Sequence, residues 1–285
     1  MFGKMAFSPK KNNIIIFTLV GITFCFIFCG LLIKSHALST SEEQTEAVSI
    51  LNNLDQKFDS LETIKLKVFR ELKRPLQEQK DNWVYFYKKP DNYRIEYYSK
   101  PTRILTANEK EIIEYIPEAK KAMKTDITGL SGEQKAELHK QILTKVMLPG
   151  LRLGIDPNMK NGVSYKIEGT EAIGGREAII IKGSSQDQGK QMVARFWIDK
   201  ERNIFLKMES TRDGNFIAST EVKETQLVND KYWFPKVVEV KHNSKTGMEL
   251  ARYRFNQVAL NQEIPASKFN VELAPDVEVI KPEGR

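Results

Sequence analysis

The chain has 285 residues, 28% of them charged and 9% aromatic, which suits one large or two modest folded domains. The net charge of +7 is unevenly spread: Lys4, Lys10, Lys11 and Lys34 precede Leu38 with no acid among them, and 40 basic against 37 acidic residues leave +3 for the remainder. That balance argues against nucleic acid as a partner, because a nucleic-acid footprint needs a clustered basic face.

Lys4, Lys10 and Lys11 lead into an apolar run from Ile14 to Ile33, and Ser35-His36-Ala37 then offers small residues. A basic start, an apolar stretch and a Ser-x-Ala step mark a cleaved export signal. Twenty apolar residues are also enough to span a bilayer. Residues 1–37 are therefore read as a signal peptide or a membrane anchor, both readings standing, and residues 38–46 as a linker. Either sends the rest of the chain across the cytoplasmic membrane. Cys25 and Cys29 lie inside the apolar run, each preceded by Phe where a lipoprotein signal needs a small residue. The exported part has no cysteine, hence no disulfide, thiolate nucleophile or cysteine metal site.

Ser41-x-x-Gln44 has the spacing of a capping box. Ala47, Ile50, Leu51, Leu54, Phe58 and Leu61 then fall on one face of a helix expected over Glu43 to Ser60. Ile64, Leu66 and Val68 alternate as a first strand, and Lys73 to Asp81, with Pro75, reads as a polar loop. Trp83-Val84-Tyr85-Phe86-Tyr87 is a strand with bulky residues on both faces, so each face needs a dry cover, helix on one side and helix or lipid on the other. Short strands follow at Tyr93 to Tyr97, Arg103 to Ala107 and Glu111 to Ile116. Lys120, Lys121 and Lys124 form a basic cluster, read as a solvated face.

Ser131-x-x-Gln134 opens a second helix, with Leu138, Ile142, Leu143, Val146 and Met147 on its apolar side and Pro149-Gly150 as its stop. Gly154 to Gly162 is loop. Strands resume at Val163 to Glu168 and Glu177 to Gly183, with Gly169 to Arg176 and Gly183 to Lys190 as turns. From Gln191 to Phe255 apolar residues alternate through strand after strand, broken by Asp199 to Asn203, Asp213-Gly214, Asn229-Asp230 and His242 to Gly247. Connections this short make an antiparallel meander, since parallel strands need crossovers of a dozen or more residues. One α+β domain over residues 47–285 is the expectation.

No constellation for catalysis stands out. His139 on a polar helix face and His242 in a turn lack the third ligand a zinc site needs, so no metal or cofactor is expected. Gly183-Ser184-Ser185 has no helix after it to make a nucleophile elbow, and Gly174-Gly175 reads as a turn. What remains is more apolar strand than two helices cover. A curved sheet loosely closed by helices would leave a lined cavity.

The order of motifs resembles the outer-membrane lipoprotein-sorting family, the LolA-like carriers, over about Ile50 to Ile280. Phe58-Asp59-Ser60-Leu61, Trp83 to Tyr87 with Lys89-Pro90 and Tyr93-Arg94, Gly169 to Ile181, Phe196-Trp197-Ile198-Asp199, Tyr232-Trp233-Phe234-Pro235 and Ile264 to Phe269 carry it. The resemblance implies an unclosed, strongly curved antiparallel β-barrel, a half-barrel, with helices covering its concave hydrophobic side. It also implies a non-enzymatic, monomeric cell-envelope protein in the periplasm that binds acyl chains of lipoproteins or lipids and meets a membrane-protein donor or acceptor. Trp83, Tyr85, Tyr93, Ile95, Phe196 and Trp197 are the candidate cavity wall. Lys89 stands where the family's arginine latches the helical lid, and lysine lacks arginine's planar fork. The second reading is a membrane-tethered sensor that regulates a membrane partner.

Overall fold

A computed structural model describes residues 42–135, 137–138, 148–151, 163–187 and 189–280. The apolar run at 14–33, Ser41, His139 and the loop at 154–162 lie outside the described residues. Among those described, no helix is long and apolar enough to cross a membrane.

Among the described residues are the helix α1 (Glu42–Asp59), short helical segments, and fourteen strands. These are β1 (Thr63–Arg74), β2 (Gln77–Lys88), β3 (Asn92–Tyr97), β4 (Arg103–Ala107), β5 (Glu111–Ile116), β6 (Lys121–Asp126) and β7 (Ser164–Ile173). They continue as β8 (Arg176–Asp187), β9 (Lys190–Asp199), β10 (Ile204–Arg212), β11 (Asn215–Val228), β12 (Tyr232–Ser244), β13 (Gly247–Leu260) and β14 (Glu278–Ile280). All join one sheet in the order β14-β6-β5-β4-β3-β2-β1-β13-β12-β11-β10-β9-β8-β7. Every pairing is antiparallel except β14 on β6. The sheet is unclosed, with β14 and β7 at its edges.

This order follows from two meanders laid side by side. The first runs from β1 out to β6; the second starts at the far edge with β7 and returns until β13 pairs with β1. Residues 127–163 must therefore travel from one edge of the sheet to the other. Those described lie on the face that carries the main core: Ile127, Leu130, Leu138, Leu148, Leu151 and Val163 all pack into it. At Gly150 the crossing chain comes so close that a Cβ would meet Val238 Cγ2 at 3.2 Å and Val222 Cγ2 at 3.3 Å, at a φ of +80° that already favours glycine. At the start of this crossing the capping box forms as the spacing predicts, with Gln134 N donating to Ser131 Oγ and Ser131 N to Gln134 Oε1.

Several stretches read as loops are strand. Lys73 to Asp81 is the tip of two twelve-residue strands that turn at Pro75-Leu76, and Gly183 to Lys190 continues β8 and β9. Polar residues are tolerated there because the partner strand, not burial, satisfies the backbone. Asp213 (φ 49°) with Gly214 (φ 79°) does make the tight hairpin turn expected of Asp-Gly. The basic cluster is solvent-facing and paired: Lys120 with Asp276 and Lys121 with Glu278 tie the C-terminal segment to the β6 edge, and Lys124 pairs with Glu111 of β5.

The two faces of the Trp83–Tyr87 strand have different covers. Trp83 and Tyr85 enter the main cluster, to which α1 adds Ala47, Leu51 and Leu54. On the other side Phe86 packs with Ile264 and Phe269. That second cover is the chain's own C-terminal segment, in which Phe269 ends a short 3₁₀ helix (Ala266–Phe269).

Candidate functional site

The candidate site is the covered face of the sheet and the seam where α1 lies on it. Strand periodicity aims alternate residues at this face. Trp83, Tyr85, Tyr93, Ile95 and Phe196 all belong to its cluster, at 5%, 2%, 1%, 0% and 5% exposure. Trp197 does not: flanked by Phe196 and Ile198, which point to the covered face, it packs on the opposite one with Ala178, Ile204 and Leu206. Its indole Nε1 donates to Glu171 Oε2 at 2.7 Å, and Lys207 Nζ lies 4.4 Å from its ring centre. Trp197 is thus a residue of the outer surface, covered by long polar side chains.

A small cleft lies on this face among the described residues. About 60 Å³ opens between Leu54, Phe58 and Leu61 at the end of α1, Leu151, and Phe205, Phe234 and Leu260 of the sheet. That holds a few waters, not a hydrocarbon tail. Trp83, Tyr85, Tyr93, Ile95 and Phe196 are packed against their neighbours.

Polar contacts hold that cover down. Lys57, in the last turn of α1, donates from Nζ to the carbonyls of Arg202 at 3.0 Å and Asn203 at 3.2 Å in the β9–β10 turn. Burial pushes the Lys57 ammonium below its usual pKa, with Asp199 opposing the shift. Asn203 Nδ2 donates back to the Asn53 carbonyl at 3.4 Å. Sequence reading missed this fastening, because 145 residues separate its partners. The only local signal was a lysine in the last turn, a common place for a cation facing helix carbonyls.

Lys89, the candidate latch, meets Glu62 just past the end of α1. Its Nζ pairs with Glu62 Oε1 at 3.0 Å, and its backbone N–H donates to the Glu62 carbonyl at 2.9 Å. It fastens the start of β1, just past α1. His242 is not in a turn but on β12, opposite Glu249, and burial lowers its pKa against the pull of that carboxylate. No group of three or more metal-ligating side chains occurs among the described residues.

The covered face is not uniformly apolar. Toward the hairpin tips β1 and β2 set Arg70 against Asp81 as an ion pair, with Arg70 Nε 3.0 Å from Asp81 Oδ2. Arg103 pairs with Glu114 at 3.3 Å and Arg74 with Glu249 at 3.4 Å. The step from greasy to charged lining falls on Trp83, Tyr97 and Tyr253, whose rings meet at 5.9 Å and 6.4 Å from Trp83.

Solved structures share this unclosed antiparallel sheet. A domain described as outer-membrane lipoprotein-sorting, from Vibrio parahaemolyticus, superposes at a TM-score of 0.51 with 13% identity, covering 81% of this chain and 97% of its own. The fold is the LolA-like, lipoprotein-sorting fold. A DUF1329 family protein from Desulfovibrio piger shows the same fold at a TM-score of 0.53 and 10% identity, over 81% of this chain and 98% of that one. A LolA superfamily protein from Nitrosomonas europaea superposes more loosely, at 0.48, with 13% identity and coverage of 79% and 97%. A family model described only as an uncharacterized protein matches residues 155–273, the second meander of the LolA-like sheet. No curated protein gives a significant match.

Proposed function

We propose that this chain is a non-enzymatic carrier or chaperone of the cell envelope. It binds acyl chains of lipoproteins or lipids between α1 and the covered sheet face, and takes part in their sorting to the outer membrane. The observation that carries this reading is the contrast at the α1 seam. Beneath it lies a continuous aromatic and aliphatic face, yet what fastens its end is a handful of polar contacts, from Lys57 and Asn203, beside a cleft that opens onto that face. The LolA-like fold adds to it. The basic N-terminus and apolar run are consistent with export.

Energetics allow such a role without a catalytic group. Each methylene removed from water contributes about 0.8 kcal/mol, against association costs of several kcal/mol. A tail of ten or more methylenes covers that cost and the loss of a few polar contacts. Native mass spectrometry of protein purified from the envelope tests the proposal. The expected result is a mass excess matching acylated cargo, lost after delipidation and restored by adding it back. Protein that emerges free of lipid and refuses fluorescent acyl probes would end the carrier reading.

A further inference from the structure

We infer that the polar quadrant around Trp83 is a subsite for the uncharged linkage, ester or amide, that joins acyl tails to the rest of their carrier molecule. The inference rests on the acyl-carrier reading and extends it from the tails to the group beside them.

Register places the quadrant next to the apolar lining. Asp81, Trp83 and Tyr85 follow one another on the same face of β2, Trp83 lies opposite Val68 and Tyr97, and Asp81 opposite Arg70. Successive residues on one face stand about 7 Å apart, so a tail lying over Tyr85 and Ile95 brings its linkage to Trp83. Trp83 is 5% exposed, and its indole Nε1 has no hydrogen-bond partner among the described residues. Leaving such a donor buried and unsatisfied is destabilising, and an acceptor oxygen on a ligand removes that cost.

The surrounding charges select which acceptor. Arg70 is matched by Asp81 and Arg103 by Glu114, so among the described residues each arginine of the quadrant already has its carboxylate. An anionic head group would have to compete with a resident carboxylate for each arginine. An ester or amide carbonyl, flanked by hydroxyl or N–H, adds no charge and uses the spare lone pairs and N–H groups that ion pairs keep. The aromatic rim of Trp83, Tyr97 and Tyr253 is what a boundary between hydrocarbon and polar groups favours, since each ring has an apolar body and a polar tip.

The test uses the purified full chain loaded with diphenylhexatriene, a hydrocarbon-only fluorophore, displaced by 1-palmitoylglycerol or by an N-palmitoyl dipeptide. Trp83→Phe, which keeps an aromatic ring in the wall and removes the N–H, should weaken one or both displacers about fivefold more than it weakens diphenylhexatriene, the loss of one hydrogen bond. Dependence for the glycerol ester assigns the linkage to a lipid, and dependence for the amide assigns it to a lipoprotein. Equal weakening of all three probes, or of none, overturns the inference. Should Trp83→Phe fold poorly, the indole N–H resonance of Trp83 in the unaltered protein decides. A downfield move on adding a displacer but not on adding diphenylhexatriene supports the subsite; no such difference removes it. If the unaltered chain binds none of the probes, the carrier reading itself fails.

Discussion

Lys57 is a half-buried ammonium that gives up part of its hydration to reach two backbone carbonyls. Removing it leaves those carbonyls to find water or go unpaired. Lys57→Ala should therefore destabilise the protein by about 1–2 kcal/mol in urea titrations, and amides in the last two turns of α1 should exchange faster. Lys89 predicts the opposite scale of effect. Its pair with Glu62 is solvent-facing, with side chains 33% and 69% exposed, and such pairs contribute at most about 1 kcal/mol. Lys89→Ala should shift the urea midpoint only slightly and leave α1 exchange unchanged. Lys89 was visible in the sequence because it precedes Pro90 in a recognisable motif. Lys57 was not, because nothing local distinguishes a lysine that meets water from one that meets a distant turn.

Among elements, the C-terminal segment from Asn261 to Ile280 behaves as a strap over the outer face. It is pinned by Phe269 and Ile264 on Phe86, by Arg94 Nη1 donating to the Lys268 and Asn270 carbonyls, and by β14 on β6. Glu96 is its acidic anchor. Burial pushes this carboxyl up, but hydrogen bonds from Lys268, Tyr98 and Arg94 outweigh it and hold the pKa at about 2. The folded pKa lies below the ordinary value of 4.5, so the stabilisation is present above that pH and is lost as pH falls from about 4.5 toward 2. Discounted for solvent screening, it amounts to about 1–2 kcal/mol. Glu96→Gln should lower stability at pH 7 by that amount and flatten the acid limb, as read by thermal melts at pH 7, 4 and 2.5. Two-sided strand residues at Trp83 to Tyr87 announced the need for a second cover. They did not say that a tail 180 residues downstream would supply it, because apolar residues carry no address.

For the whole molecule, the decisive expectation is that acyl binding needs α1 to part from the sheet. Cysteines placed by Asn53→Cys and Asn203→Cys, with Cys25 and Cys29 changed to serine, would bridge the seam where Asn203 already contacts the Asn53 carbonyl. Oxidised protein should lose fluorescent acyl-probe binding, and reductant should restore it. Binding that is indifferent to the bridge would mean that chains enter elsewhere.

The sequence by itself determined the strands of the second meander, the amphipathic α1, the Asp-Gly turn and the capping box at Ser131, because period, turn chemistry and capping are written within a few residues. Its family-like motifs also pointed to the right fold. Only the tertiary structure decided that Leu148 and Leu151 of the long connection pack on the covered face, and that of the two alternating sets in β9 it is Phe196, not Trp197, that faces it. The same holds for the strap over Phe86 and the fastening of α1 by Lys57. These depend on which strand ends up beside which. That is set by summed, non-directional apolar burial over the whole sheet, and no local stretch of sequence contains it.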